Sequence, residues 1–195
     1  DIKYVDLNED GMIEEWDMQP LMPNNTPIMK FGLTLSGQWK GLDLSMSFQG
    51  ASMFNARMNA SPLQWGGSAW DIFMDRWHKV DASGNVNSFD PDGEWVPGKY
   101  PSTRVQDPQN YGIESSFWYN NCTYLRLKNL EIGYTFPSKW TKFVGINSLR
   151  LYANGYNLFT IQSSASGYID PENPGGGIDR YPIMRNFNFG INVNF

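Results

Sequence analysis

The segment 183–195, IMRNFNFGINVNF, restricts the possible folds more than any other part of the chain. Its odd positions are Ile183, Arg185, Phe187, Phe189, Ile191, Val193 and Phe195; its even positions are Met184, Asn186, Asn188, Gly190, Asn192 and Asn194. Successive side chains of a strand point to opposite faces, so the spacing predicts a strand with one apolar face and one amide face. A half-buried soluble strand usually keeps such alternation for about five or six residues. A tilted strand crossing a bilayer needs about 9–11, and this segment is long enough.

The pattern recurs upstream. Phe31, Leu33, Leu35, Gly37 and Trp39 alternate with Gly32, Thr34, Ser36, Gln38 and Lys40. After a turn at Gly41, Leu42, Leu44, Met46 and Phe48 alternate with Asp43, Ser45, Ser47 and Gln49, which predicts a hairpin. Leu130, Ile132, Tyr134 and Phe136 form a third strand, whose phase slips after Leu125 and Leu127 and so predicts a bulge near Lys128. Leu149, Leu151 and Ala153 alternate with Arg150, Tyr152 and Asn154 in a fourth.

The connections are unequal. Strands one and two, and strands three and four, are joined by short links at 40–42 and 137–147, whereas 55–121 and 161–182 are long. Outer-membrane barrels have short periplasmic turns and longer extracellular loops. With the long links outside, Trp39, Phe136, Trp140 and Phe195 share the periplasmic interface, where an aromatic girdle is expected. Five strands are too few for a closed barrel, which takes at least about eight. Together with the absence of an initiator Met or signal peptide, this reads as a piece of a longer chain.

Composition narrows the remaining classes. Aromatic residues make up 15% and charged residues only 18%, against about 25% charged in an ordinary soluble domain. The net charge is −5, and no Lys/Arg cluster offers a basic stripe, so nucleic acid is excluded as a partner. No apolar run is long enough for a transmembrane helix, which leaves the barrel solution open. Cys122 is the only cysteine and His78 the only histidine. Neither an internal disulfide nor a His-based catalytic set can form, and the chain is not expected to be an enzyme.

Two segments carry candidate sites. Asp6, Asn8, Asp10, Met12 (through its carbonyl), Glu14 and Asp17 occupy positions 1, 3, 5, 7, 9 and 12 of a calcium-loop pattern, with Gly11 at the sharp sixth position. Asp17 stands where Glu is usual, so its bidentate reach is shorter. A bound Ca2+ would stiffen this loop, and an Asx-rich turn without an ion fits the same residues. The long link carries Trp65, Trp70, Trp77 and Trp95, together with Tyr100, Tyr111, Phe117 and Trp118. Such rings stack on sugars, and they also supply the core that a loop of this length needs. Residues 71–78 suggest a short helix. Arg150, Tyr152, Asn154, Asn188 and Asn192 would line a lumen or touch a plug.

Several motifs in order resemble a known family. They are D-x-N-x-D-G-x-I at 6–13, F-Q-G at 48–50, S-x-F-W at 115–118, Y-L-R-L-K-N-L at 124–130 and I-G-Y-T-F-P at 132–137. L-R-L-Y-A-N-G-Y-N-L-F at 149–159 and the terminal F-x-F-G-I-N-V-N-F follow. Taken together they resemble the C-terminal region of SusC/RagA-type TonB-dependent outer-membrane transporters of Bacteroidetes. The resemblance implies an all-β fold: the last five antiparallel strands of a 22-stranded transmembrane barrel with long extracellular loops. It divides the chain into an outer loop with the calcium-like motif (1–27), a hairpin (28–54), a long outer loop (55–121), a second hairpin (122–160), an outer loop (161–182) and a closing strand (183–195).

The resemblance also implies import of glycans or oligopeptides with a SusD-like surface lipoprotein. The partners would be the rest of the barrel and its plug, membrane lipid, and a TonB complex contacted through an N-terminal part absent from this sequence. Phe187, Phe189, Ile191, Val193 and Phe195 would form the signal read by the barrel assembly machinery. The rival reading is a secreted, calcium-stabilised, carbohydrate-binding β-sandwich, in which Phe189 and Leu44 would share a dry core.

Overall fold

A computed structural model of the chain describes residues 2–20, 25–58, 71–87, 89–102, 108–163, 170–173 and 183–195. The chain divides into two compact units, Asp1–Leu21 with Met58–Trp118, and Met22–Arg57 with Tyr119–Phe195.

The second unit is built on a five-stranded antiparallel sheet. Its strands are β1 (Met29–Trp39), β2 (Leu42–Ser52), β7 (Tyr124–Thr135), β8 (Ser148–Gln162) and β9 (Asn186–Asn194), in the spatial order β1-β2-β7-β8-β9. The register matches the alternation strand by strand. Leu33 faces Phe48, Phe48 faces Leu127, and Leu127 faces Phe159. Lower in the sheet Leu44 faces Ile132, Ile132 faces Ala153, and Ala153 faces Phe189. On the reverse face Ser36, Ser45, Glu131, Asn154 and Asn188 form one continuous row. A slip of one residue in any ladder would mix the two faces, so the pattern fixes the register.

The turn between β1 and β2 uses Lys40 and Gly41, with φ of 50° and 90°. Both values are positive, as the two-residue hairpin turn that matches strand twist requires. A Cβ on Gly41 would also lie 2.6 Å from the carbonyl oxygen of Thr135. Between β7 and β8 the helical turn α1 (Ser138–Thr141) and a 3-10 turn (Lys142–Val144) make the link. Tyr134, Phe136 and Trp140 form a chain of rings into it, with centroids 5.1 and 6.5 Å apart.

Lys128 is the bulged residue. Ser47 pairs with Asn129 and Phe48 with Leu127, so Lys128 has no opposite number on β2. On β8 the pairing jumps from Phe159 to Tyr156, leaving Asn157 and Leu158 opposite it, and Asn157 takes a φ of 54°. β8 extends eight residues past the alternation read at 149–154 because this bulge lets the strand continue in a shifted phase.

Part of the long link continues the second unit. β3 (Asn55–Arg57) pairs with β6 (Tyr119–Asn121). Here Ala51, Phe54, Ala56, Cys122 and Tyr124 form a small core. Cys122 is fully buried, and burial pushes its thiol up to about 11, which leaves it unreactive.

The first unit has a separate aromatic core of Met58, Phe73, Tyr100, Tyr111 and Trp118, against which Ile2 and Ile72 pack. The Trp118 ring meets Phe117 edge-on at 4.9 Å and stacks on Tyr100 at 6.4 Å. Its Nε1–H donates to the carbonyl of Asn110 at 2.8 Å, and the Asn110 side chain accepts from the Ile2 amide at 2.7 Å. The segments read from sequence as separate loops, 1–27 and 55–121, therefore both contribute to one core, the first through Ile2. Residues 71–78 are not one helix: Asp71–Met74 is a single 3-10 turn, and His78 enters β4 (His78–Val80), which pairs with β5 (Glu94–Val96).

Candidate functional site: the polar face of the sheet

Among the described residues the polar face carries two charged clusters. In the first, Arg150 on β8 donates from Nε to Asp43 Oδ1 on β2 at 3.0 Å and from Nη2 to Glu131 Oε1 on β7 at 2.7 Å. Nη2 also donates to Asp43 Oδ2. Gly133 lies beneath this guanidinium, and a Cβ there would sit 2.4 Å from Arg150 Nη2. Tyr152 lies over Gly190 in the same way, and Asn188 donates to Asn154 Oδ1 at 2.9 Å. Arg150, Tyr152, Asn154, Asn188 and Asn192 thus all fall on this face, in adjacent rows of β8 and β9.

The second cluster was not visible in the sequence. Arg126 on β7 is 4% exposed, and its Nε donates to Thr160 Oγ1 on β8 at 2.7 Å. Its guanidinium meets Asp170 Oδ1 at 2.9 Å and Glu172 Oε2 at 3.1 Å. Lys128 reaches the same Glu172 oxygen at 2.8 Å. The bulge is what puts Lys128 here. Arg126, Lys128 and Asn129 would not all face one side in a regular strand, and the extra residue allows it.

In the first unit the segment 6–17 forms a tight loop. Asp6 Oδ2 accepts from the Gly11 amide at 2.8 Å, Asn8 Oδ1 from the Asp10 amide at 3.1 Å, and Asp10 Oδ1 from the Met12 amide at 2.8 Å. Asp17 accepts from the amides of Leu7 at 2.7 Å and Glu14 at 2.9 Å. These bonds, Glu14 first and Leu7 next, hold the Asp17 carboxyl below its ordinary value of 3.8. Gly11 takes a φ of 85°, the sharp turn expected of it. Asp6 Oδ1 is buried without a hydrogen-bond partner. Among the described residues no group of three or more His, Cys, Asp or Glu side chains is gathered closely enough to hold a metal ion. The carboxylates are turned to backbone N–H groups.

Trp65 and Trp70 lie outside the described residues. Trp77 and Trp95 are both partly exposed, the latter under Lys79 Nζ at 5.6 Å from the ring centroid. Trp118 and Tyr111 are core. His78 Nδ1 is paired with the carbonyl oxygen of Arg76 at 2.7 Å, a backbone contact and not a nucleophile–base pair. Phe187, Phe189, Ile191 and Val193 share the apolar face of β9, and all are exposed.

A long-stranded antiparallel sheet with one apolar face and one charged, glycine-spaced face defines a section of barrel wall. No family model matches the chain. Over 98% of its length it is 28% identical to TonB-dependent receptor P3 of Formosa agariphila, and over 99% it is 25% identical to TonB-dependent receptor P26 of the same organism. It spans 19% of the length of each of these curated relatives. Two solved structures of the RagAB peptide importer, in open-open and closed-closed states, match 87% of the chain at 24% identity, with TM-scores of 0.55 and 0.59. The chain covers 17% of each. In sequence the chain is similar to about a fifth of these TonB-dependent receptors, and in fold to a part of the RagAB importer chain.

Proposed function

We propose that the chain supplies five consecutive wall strands of a plugged, TonB-coupled importer in the outer membrane of a Bacteroidetes-like Gram-negative bacterium. The observation that carries this is the unbroken apolar face, matched residue to residue across all four strand pairings, with ion pairs on the reverse face. Phe187 is 65% exposed, Phe189 83% and Ile191 65%, surface that hydrocarbon solvates at no cost. Among the described residues, β1 and β9 are the edge strands of this sheet. A membrane does not tolerate open edges, so these strands pair with the remainder of a closed barrel, of the 22-strand plugged class.

The two short links then face the periplasm, and the long ones face outward. β9 closes the barrel at its C-terminal end, and Phe187, Phe189, Ile191, Val193 and Phe195 serve as its assembly signal. The cargo is an oligopeptide or glycan passed on by a SusD-like surface lipoprotein; the likeness in fold to the RagAB peptide importer supports the first of these. Of the four candidate tryptophans, Trp77 and Trp95 are described, and both are open to such cargo. For Asp6, Asn8, Asp10, Met12, Glu14 and Asp17 to take Ca2+, the Asp6, Asp10 and Asp17 carboxylates would have to turn away from the backbone amides they now accept from. The sandwich alternative has little support, since Phe189 lies open instead of sharing a dry core with Leu44.

Cysteine-linked fluorophores on the full-length receptor in vesicles test the wall. At Phe189→Cys, nitroxide lipids should quench strongly; at Asn188→Cys they should not. Equal quenching at the two positions would sink the proposal. Uptake of labelled oligopeptides and oligosaccharides, with and without an uncoupler, then assigns the cargo.

A further inference from the structure

The cluster around Arg126 has a property that a static strut does not need. Two cations on the wall are matched by two carboxylates from a short stretch of the link between β8 and β9. That stretch is folded on itself: Asp170 Oδ1 accepts from the Glu172 amide at 2.9 Å, and the Asp170 carbonyl accepts from the Asn173 amide at 2.9 Å. Pro171 between them is buried. The charge match is complete, but the hydrogen bonding is not. Arg126 Nη1 approaches Glu172 Oε2 without making a hydrogen bond to it, and the Tyr124 hydroxyl stands against the Glu172 carboxylate.

We propose that Arg126 and Lys128, with Thr160 beside them, form a carboxylate-binding site for cargo, and that Asp170 and Glu172 occupy it as built-in surrogates until cargo displaces them. This rests on the importer reading, in which the polar face looks into the lumen. A guanidinium this buried cannot be left without a counter-charge, so the surrogate leaves only as another anion arrives. Release of the segment is therefore coupled to the charge of the cargo, and a neutral oligomer cannot drive it. The bulge at Lys128 belongs to the same device: it aims a second cation at the same Glu172 oxygen as Arg126.

The test is amide hydrogen exchange on the purified full-length receptor in detergent, with tetraglutamate, tetragalacturonate and tetraglutamine as probes. Exchange over Asp170–Asn173 should rise several-fold with an acidic probe and stay unchanged with tetraglutamine. A response to tetraglutamate alone assigns peptide carboxylates, and one to tetragalacturonate alone assigns uronate glycans; a response to both leaves the carboxylate chemistry standing. No response to either acidic probe, or an equal response to tetraglutamine, overturns the site. The E172Q variant weakens the internal competitor but leaves Asp170 on Arg126, and should bind the effective acidic probe severalfold tighter; unchanged or weaker binding by a variant that unfolds like the parent also overturns it. Because nothing is transported in this assay, its failure is separate from failure of the wall, which lipid quenching reports.

Discussion

Substituting Phe189 with arginine measures which solvent the apolar face meets. Phe189 is six residues from Phe195 along β9. At about 3.3 Å per residue and a tilt of about 45°, it lies ~14 Å above the Phe195 end of the strand. The apolar band of such a barrel is about 25 Å tall, so this position is close to its middle. Val193 is two residues from Phe195, only ~5 Å from the interface by the same geometry. Arginine costs roughly 2–4 kcal/mol at the midplane and about 0–1 near the interface. Removing the ring itself is controlled with alanine. Phe189→Arg should therefore be less stable than Phe189→Ala by about 3 kcal/mol, some hundredfold in the folding equilibrium, whereas Val193→Arg should stay within about 1 kcal/mol of Val193→Ala. The assay is denaturant unfolding of the full-length receptor from lipid vesicles, followed by fluorescence. If Phe189→Arg equals or exceeds Phe189→Ala in stability, the face meets water and the depth argument is refuted.

Gly133→Val should displace the Arg150 guanidinium from Asp43 and Glu131 and cost about 1–3 kcal/mol. In an Arg150→Met background the same substitution should cost much less, which a double-mutant cycle in the same unfolding assay would show. Trp118→Phe leaves the Asn110 carbonyl without its indole donor; a loss of about 1–3 kcal/mol is expected, read as faster amide exchange within Met58–Trp118. The Asp17 carboxyl is held below 3.8 in the folded loop, so its contribution is complete above that value and is lost as pH falls through the lowered one. Carboxyl NMR of labelled aspartate should show this, and calcium should move the titration lower still; an unchanged titration with calcium present counts against the ion.

The five long strands were legible from a two-residue period held over six to thirteen positions, which helices and loops do not sustain; the part of β8 beyond Asn154 was not, because the bulge shifts its phase. The bulge near Lys128 was legible as a slip in phase. The three-residue strands β3 to β6 were not, since a run that short has no measurable period. Nor was the pairing of Ile2 with Asn110, or of Arg126 with Asp170 and Glu172: such contacts join distant segments and leave no local pattern. In the loop 6–17 the spacing anticipated the sharp turn at Gly11. It did not anticipate that Asp17 would commit both oxygens to the amides of Leu7 and Glu14, because the motif encodes ligand order and not competition from the backbone.

The paired stalk of β3 and β6 gives the first unit some freedom in length. Its incoming and outgoing chains are held side by side, and the Met58 amide donates to the Trp118 carbonyl at 2.7 Å just beyond them. Residues between those two can change in number without shifting β3 on β6, provided the ring core that Ile2 shares with Met58, Phe73, Tyr100, Tyr111 and Trp118 is kept.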